Sequence, residues 1–288
     1  MAEKPHFDGE IIASRQNRRI VELMKLDDRR ARETSRRFRF DGVKLLCEAI
    51  RRGVELDRIF LCESTAARVA ERMQTLYGCS LRDANCPVSG VEESLFQKIS
   101  QENAPEGVIT VAKYIDKCHK NIIIYNKDEI SLREDAPVVL LESVRDPLNV
   151  GAIIRSAAAL GVGHLILSAD CADVYHPRTV RAAMGPLFSM PMTRVEDLAG
   201  SIAALRASGR RVYAAALDDT ALRLGSPEQK AEQGSAPACA VIGNEGHGLS
   251  EAVIAACDRS IYIPMEADTE SLNAGVAAAL IMWEIGKK

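Results

Sequence analysis

The sequence predicts an α/β protein of two parts, a smaller N-terminal α/β domain and a C-terminal domain built on a mostly parallel sheet. From Pro137 onward, short runs rich in Val, Ile and Leu alternate with segments of helical length. That alternation implies a parallel sheet covered on both faces. Before residue 117 helical and strand patterns also alternate, with more charge. The length, 288 residues, is long for one domain and comfortable for two.

In the N-terminal part, Ile20, Val21, Leu23, Met24 and Leu26 place an amphipathic helix over 14–28. A second helix fits 42–52 and stops at Gly53. ELDRIFLCES reads as a buried strand, Ala66–Tyr77 as a helix and Gly107–Tyr114 as a strand. The domain is expected to cover 1–116. Residues 117–136 hold one apolar run, NIIIYN, then a polar stretch, and read as a linker whose run attaches to one of the domains.

In the C-terminal domain, 137–288, strands fit Val138–Glu142, His164–Ser168, Arg211–Ala216, Ala238–Gly243 and Ser260–Met265. Helices fit Asn149–Leu160, Val195–Ala207, Ser250–Cys257 and Ser271–Ile285. Asp218–Pro237 has little periodicity and reads as a long loop.

Composition narrows the class. Hydrophobic residues make up 47 % and charged residues 27 %, which suits a packed core under a solvated surface. No apolar run reaches the roughly 18 residues needed to cross a bilayer. The start, MAEKPHFDGE, is acidic and lacks an apolar signal core, so the expected location is the cytoplasm. Eight cysteines, at 47, 62, 79, 86, 118, 171, 239 and 257, show no metal-binding spacing, so no metal is expected and they read as small hydrophobes.

The net charge of −3 conceals an asymmetry. Arg15–Arg39 holds ten basic and four acidic residues, including Arg18, Arg19, Arg29, Arg30, Arg32, Arg36 and Arg37. Such a cluster can follow phosphates, which makes Arg18, Arg19, Arg36 and Arg37 candidate RNA contacts. The alternative is a solvated helix face paired locally by Glu22, Asp27, Asp28 and Glu33.

Ordinary nucleotide folds fail on context. Gly161-Val162-Gly163 follows a helix and opens a strand, the reverse of a dinucleotide fingerprint. Gly243, Gly246 and Gly248 do follow a strand, but in a different spacing and without a P-loop lysine. Such a loop can bring bare backbone to a flat ligand, or it is a tight turn. Ser271 sits where a helix should start and reads as its N-cap, leaving Asn273 two residues inside. Arg155, amid small apolar residues, reads as facing a phosphate or carboxylate, or as an ion pair with Glu142 or Glu245.

Three segments then combine: DPLNVGAIIRSAAALG from Asp146, VIGNEGHGLSEAV from Val241, and IPMEADTESLNAGVAAALIMWE from Ile263. Together they resemble the signature motifs of the SpoU (TrmH-like) family of RNA 2′-O-ribose methyltransferases, in the SPOUT superfamily. The resemblance rests on Asn149, Gly151 and Arg155, then Gly243, Glu245 and Gly248, then Ile263–Met265 with Ser271–Asn273. Residues 36–53 and SQENAPEGVITVAKY from Ser100 resemble the family's N-terminal substrate-binding domain. This chain departs by placing Ala274-Gly275 where the family often has Val-Ser, which suggests looser packing there, and Arg39 before Phe40-Asp41-Gly42.

The resemblance implies a trefoil-knotted C-terminal domain, a homodimer, and a ribosomal-protein-like N-terminal domain that grips RNA. It implies S-adenosyl-L-methionine as methyl donor, held by Leu217, Gly243, Glu245, Gly246, Ile263, Met265 and Leu272. It assigns catalysis to Asn149, Arg155, Glu245, Ser271 and Asn273, on ribosomal RNA ahead of transfer RNA. The competing readings are a tRNA ribose methyltransferase, a base methyltransferase of the same superfamily, and a non-catalytic RNA-binding or ribosome-assembly protein.

Overall fold

The computed structural model describes residues 5–119, 122–125, 132, 133, 135–234, 238–266 and 271–286. The chain forms two compact units. Its first part runs α1 (Arg18–Lys25), α2 (Arg29–Ser35), β1 (Arg37–Asp41), α3 (Val43–Arg51), β2 (Leu56–Cys62) and α4 (Ala66–Tyr77). Then come β3 (Val88–Val91), α5 (Glu93–Ile99) and β4 (Val108–Lys113). It continues through β5 (Asp116–His119), β6 (Ile122–Tyr125), β7 (Val138–Leu141), α6 (Pro147–Ala159), β8 (His164–Ser168) and α7 (Pro177–Ala183). The remainder is β9 (Met192–Val195), α8 (Leu198–Ala207), β10 (Val212–Ala215), β11 (Leu222–Arg223), α9 (Pro227–Gln233), β12 (Cys239–Ile242), α10 (Glu251–Ala256), β13 (Arg259–Tyr262) and α11 (Ala274–Ile285).

The first unit is a four-stranded sheet in the order β1-β4-β2-β3, antiparallel except for β2 with β3. The expected 14–28 helix is shorter and is followed by a second one. The break has a clear cause: Arg32 is buried and its Nη1 donates to the carbonyls of Leu26 and Asp27 at 2.9 Å each, closing the C-terminal end of α1. β1, β3, α2 and α5 lacked a periodic signal because each is at most seven residues long.

Residues 175–188 belong to this first unit although they lie within 137–288. Aromatic packing holds them there. Tyr175 stacks on Tyr114 with ring centroids 3.8 Å apart, and its hydroxyl accepts the Ile115 amide at 2.9 Å. Phe188 meets Phe40 at 5.6 Å.

The second unit is a nine-stranded sheet, β11-β13-β10-β12-β7-β8-β9-β6-β5. Seven neighbouring strands, β11 to β9 in that order, are parallel, and β6 and β5 add an antiparallel edge. The mostly parallel sheet is therefore as the alternation implied. Within the stretch read as a linker, β5 and β6 join this sheet; residues 120, 121, 126–131 and 134 lie outside the described residues.

Three expectations need correction. The helix expected from Val195 begins at Leu198, after Asp197 caps it by accepting the Gly200 amide at 2.8 Å. Residues before it form β9, disguised by Arg194. That side chain is buried and donates to the carbonyls of Ala169, Cys171 and Ala172 at 2.8–3.0 Å. The expected loop 218–237 contains β11 and α9, the latter begun by Ser226 and Pro227; residues 235–237 lie outside the described residues. Finally, α11 starts at Ala274 instead of Ser271.

Of the eight cysteines, Cys47, Cys62, Cys79, Cys171, Cys239 and Cys257 are buried free thiols and Cys86 is half-buried. No helix among the described residues is long and apolar enough to cross a membrane.

Candidate active site

Three parallel strands lie side by side, β13-β10-β12, and each ends at one cleft. Leu217 follows β10, Gly243 follows β12, and Ile263 and Met265 follow β13. Ligands of open parallel sheets bind outside the carboxyl ends of strands, and this cleft, of about 690 Å³, has that placement. Ser271 and Leu272 also line it, and α11 contributes Ala274, Ala277 and Ile281 to its wall. Of the candidate donor-binding residues, Leu217, Gly243, Glu245, Ile263, Met265 and Leu272 face the cleft, while Gly246 does not.

The glycine loop closes on itself. Asn244 and Gly248 exchange backbone hydrogen bonds at 2.9 and 3.0 Å, with Gly248 at φ +68°. A Cβ on Gly243 would lie 2.5 Å from the Gly248 carbonyl. Only glycine fits, so the tight turn and the bare cleft wall are one feature. Asn244, which the motif reading passed over, shapes it: Oδ1 accepts the amides of Gly246 and His247 at 2.8 and 3.2 Å. Its Nδ2 donates to the Ser143 carbonyl at 2.8 Å, tying this loop to the one after β7.

Ser143 itself sits at φ +54°, a conformation that non-glycine residues rarely adopt. Hydrogen bonds hold it there. Its Oγ donates to Asp170 Oδ2 at 2.6 Å and its amide donates to Ser168 Oγ at 2.9 Å. Burial alone would raise the Asp170 carboxyl, but hydrogen bonds from Ser143, Ser168 and Arg145 pull it down to about 2.

Three of the predicted catalytic residues meet. Asn149, buried in α6, donates from Nδ2 to the Glu245 carboxylate. Its Oδ1 accepts from Asn273 Nδ2 at 2.8 Å. Asn273 is also the N-cap of α11, its Oδ1 accepting the amides of Gly275 and Val276 at 3.0 and 3.3 Å. This corrects the capping role expected of Ser271, which instead is exposed at the cleft. The Ala274-Gly275 departure does not loosen the packing. Both residues are buried, and a Cβ on Gly275 would lie 3.3 Å from Ala152 Cβ, so glycine lets α11 approach α6 closely.

Arg155 stands apart. It lies six residues beyond Asn149, about 120° away around α6, and is exposed. The ion pairs considered for it do not form: Glu142 accepts the amide and hydroxyl of Ser250 at 2.8 and 2.6 Å, and Glu245 accepts from Asn149. Its guanidinium makes no hydrogen bond or ion pair among the described residues.

The candidate RNA arginines are partly neutralised. Arg18 pairs with Glu22 at 2.9 Å, Arg19 with Asp8 at 3.3 Å and Arg37 with Asp57 at 3.0 Å. Arg36 lies 4.5 Å over the Tyr114 ring. Arg32, counted in the same cluster, is buried in its capping role and cannot reach a phosphate.

A main-chain cradle at the strand ends, beside a polar network drawn from three distant segments, defines an α/β enzyme that grips a small cofactor and acts on something else. Residues 136–283 match the SpoU rRNA Methylase family, and 17–110 match the MRM3-like substrate binding domain. The chain belongs to the SpoU rRNA Methylase family.

A relative from Bacillus subtilis, the 23S rRNA (guanosine(2553)-2′-O)-methyltransferase RlmP, is 28 % identical over 95 % of this chain and 98 % of its own. The 23S rRNA (uridine(2479)-2′-O)-methyltransferase of Streptomyces viridochromogenes is 39 % identical over 54 % of each chain. The crystal structure of an AdoMet-bound rRNA methyltransferase from Sinorhizobium meliloti superposes with TM-score 0.76 at 26 % identity, covering 96 % of this chain and 97 % of that one.

Proposed function

We propose that this protein transfers a methyl group from S-adenosyl-L-methionine to a ribose 2′-hydroxyl of ribosomal RNA. The observation that carries it is the Glu245–Asn149–Asn273 network, which joins all three motifs beside a cleft at the strand ends. The cleft fits the donor: its volume is that of a small-molecule site, its wall is part apolar, and the Gly243–Gly248 turn leaves main-chain groups bare for an adenine edge.

When bound, S-adenosyl-L-methionine supplies an electrophilic methyl on a sulfonium that carries its own leaving group. As the bond from the 2′-oxygen to the methyl forms and the methyl–sulfur bond breaks, the hydroxyl proton is released to solvent, so the chain's own tasks are alignment and charge. Asn149 fixes the Glu245 carboxylate and the start of α11 in one geometry, so the cleft wall is rigid before substrate arrives. Arg155 is a poor base, since a guanidinium stays protonated. Its exposed, unpaired charge suits it to hold an RNA phosphate and to stabilise negative charge developing on the attacked hydroxyl. Ser271, exposed at the cleft, is placed to orient the ribose or the donor.

The trefoil knot and the homodimer belong to this proposal. In α11, Val276, Leu280 and Trp283 share one face and are 49 %, 43 % and 58 % exposed. A second copy would cover that stripe and bring another protomer's Arg155 within reach of the cleft.

The test is incubation of the purified protein with methyl-labelled S-adenosyl-L-methionine and total RNA from a host lacking it, followed by digestion to nucleosides. Label in a 2′-O-methylnucleoside is expected. Label on a base would overturn the ribose assignment, and label in transfer RNA alone would overturn the ribosomal one. Absence of donor binding would favour a non-catalytic RNA-binding protein.

A further inference from the structure

The first unit contains a cleft of its own, about 670 Å³ in volume, that no part of the methyl-transfer chemistry uses. It lies between the end of β1, the loop after α5 and the start of α7, all within that unit. Its floor is acidic, and its exposed lining carries two arginines.

The floor is Asp41 and Glu102 beside the apolar Phe40 and Leu45. The Asp41 side chain is only 5 % exposed. One of its oxygens, Oδ2, is committed, accepting from Ser100 Oγ at 2.6 Å and from the Gln101 amide at 2.9 Å. The other, Oδ1, meets only the wholly buried Arg39, at 3.5 Å, among the described residues. A buried carboxylate oxygen with so long a contact retains capacity to accept a strong hydrogen bond. Burial, and then the neighbouring Asp41, raise the Glu102 carboxyl above the usual range.

The exposed lining carries Arg178 and Arg181 on α7, with the carboxylate of Asp27 also at its edge. Both are exposed, and neither guanidinium has a hydrogen bond or ion pair among the described residues. This contrasts with Arg18, Arg19 and Arg37, each held by a carboxylate. Arg181 lies close enough to Glu102 to oppose the rise of its carboxyl. Cations without a hydrogen-bonded partner beside an acidic, partly apolar hollow match the polarity of one nucleotide: phosphate outward, base inward. Single-stranded RNA bases are read in this way, splayed into pockets and bonded on their edges.

Acidic acceptors also select among bases. A carboxylate accepts from an exocyclic amino group and repels a carbonyl, and Asp or Glu reading the cytosine N4 amino group is the familiar pairing. Uracil has a carbonyl at that position. We propose that this cleft is a subsite for one unpaired RNA nucleotide whose base carries an amino group, with Asp41 and Glu102 accepting from the base and Arg178 and Arg181 holding the phosphate. The proposal rests on RNA being the substrate, and it concerns a nucleotide held by the first unit, with no claim about which ribose is methylated.

The experiment compares fluorescein-labelled oligocytidylate and oligouridylate dodecamers by fluorescence anisotropy on the full chain, at low and moderate salt. The two differ at the read position by amino against carbonyl. Oligocytidylate should bind roughly fivefold tighter or more, the scale of one good base contact. Glu102→Gln and Asp41→Asn should each bring the ratio toward one. Arg178→Ala with Arg181→Ala should weaken both oligomers alike and flatten the salt dependence. A thermal melt of every variant checks folding, and Glu102 is half-exposed, so its substitution spares the core.

A ratio near one in the parent protein, or a ratio that survives both carboxylate substitutions, overturns the subsite. Methylation of total RNA is measured in parallel. Labelled RNA without cytidine preference sinks the subsite alone, whereas absence of labelling sinks the reading on which it rests.

Discussion

Asn273 Nδ2 donates to Asn149 Oδ1 at 2.8 Å across 124 residues of sequence. One amide thus serves two purposes, since the same Asn273 caps α11 through its oxygen. The start of the last helix and the side chain that fixes Glu245 are therefore set together.

The two purposes are separable. Asn273→Ala should lose the cap, about 1 kcal/mol, and most of the activity. Asn273→Asp keeps a capping oxygen and removes the donor to Asn149. It should recover most of the lost Tm while methylation stays low; recovery of both would show that the cap alone matters.

Arg155→Ala should lower kcat on the order of a hundredfold or more, the scale of removing one charge-stabilising donor. Donor affinity by calorimetry should stay within about twofold, because Arg155 is not among the residues that line the cleft of its own chain. Near-normal methylation would remove Arg155 from the mechanism.

Asp170 gives a pH signature. Its folded carboxyl sits at about 2, below its ordinary value of 3.8, so its stabilising contribution is present above about pH 4 and lost as pH falls toward 2. Asp170→Asn should flatten stability against pH in that window. It should also raise KM for the donor more than it lowers kcat, since Ser143 and, through it, Asn244 lose their anchor. Equal pH profiles for parent and variant would exclude Asp170 as that anchor.

Trp283→Glu places a charge on the apolar stripe of α11. Sedimentation should show a dimer for the parent and a monomer for the variant, with activity lost in step. A monomeric, active parent would refute dimerisation through this face.

Burial raises the thiols of Cys239 to about 11 and Cys257 to about 12. At pH 8 they should resist a disulfide reagent in the folded protein and react on addition of denaturant. Rapid labelling without denaturant would show that the second unit opens locally.

Much of this was legible in the chain. Val138–Leu141, His164–Ser168 and Cys239–Ile242 are buried along their whole length, and their apolar runs, in the second case Leu165–Leu167 between two buried polar residues, announce parallel strands. Asn149, Glu245 and Asn273 stood out by motif. What was not legible were elements whose signal is too short or masked by one polar residue. β9 carries Arg194, and α1 ends where Arg32 folds back. The choice of Asn273 over Ser271 as the cap was also beyond local rules, because serine and asparagine cap almost equally well.

The sequence by itself determined the alternation of strands and helices, the family, and the residues that carry the motifs, because these depend on periodicity and spacing along the chain. Tertiary structure alone decided which amides meet and which arginines are free. Asn149 selects Asn273 from 124 residues away, and Asp8, Glu22 and Asp57 quench cations that the charge count leaves available. Hydrogen bonds and ion pairs act over a few ångströms of space, and distance in space is what a linear sequence does not record.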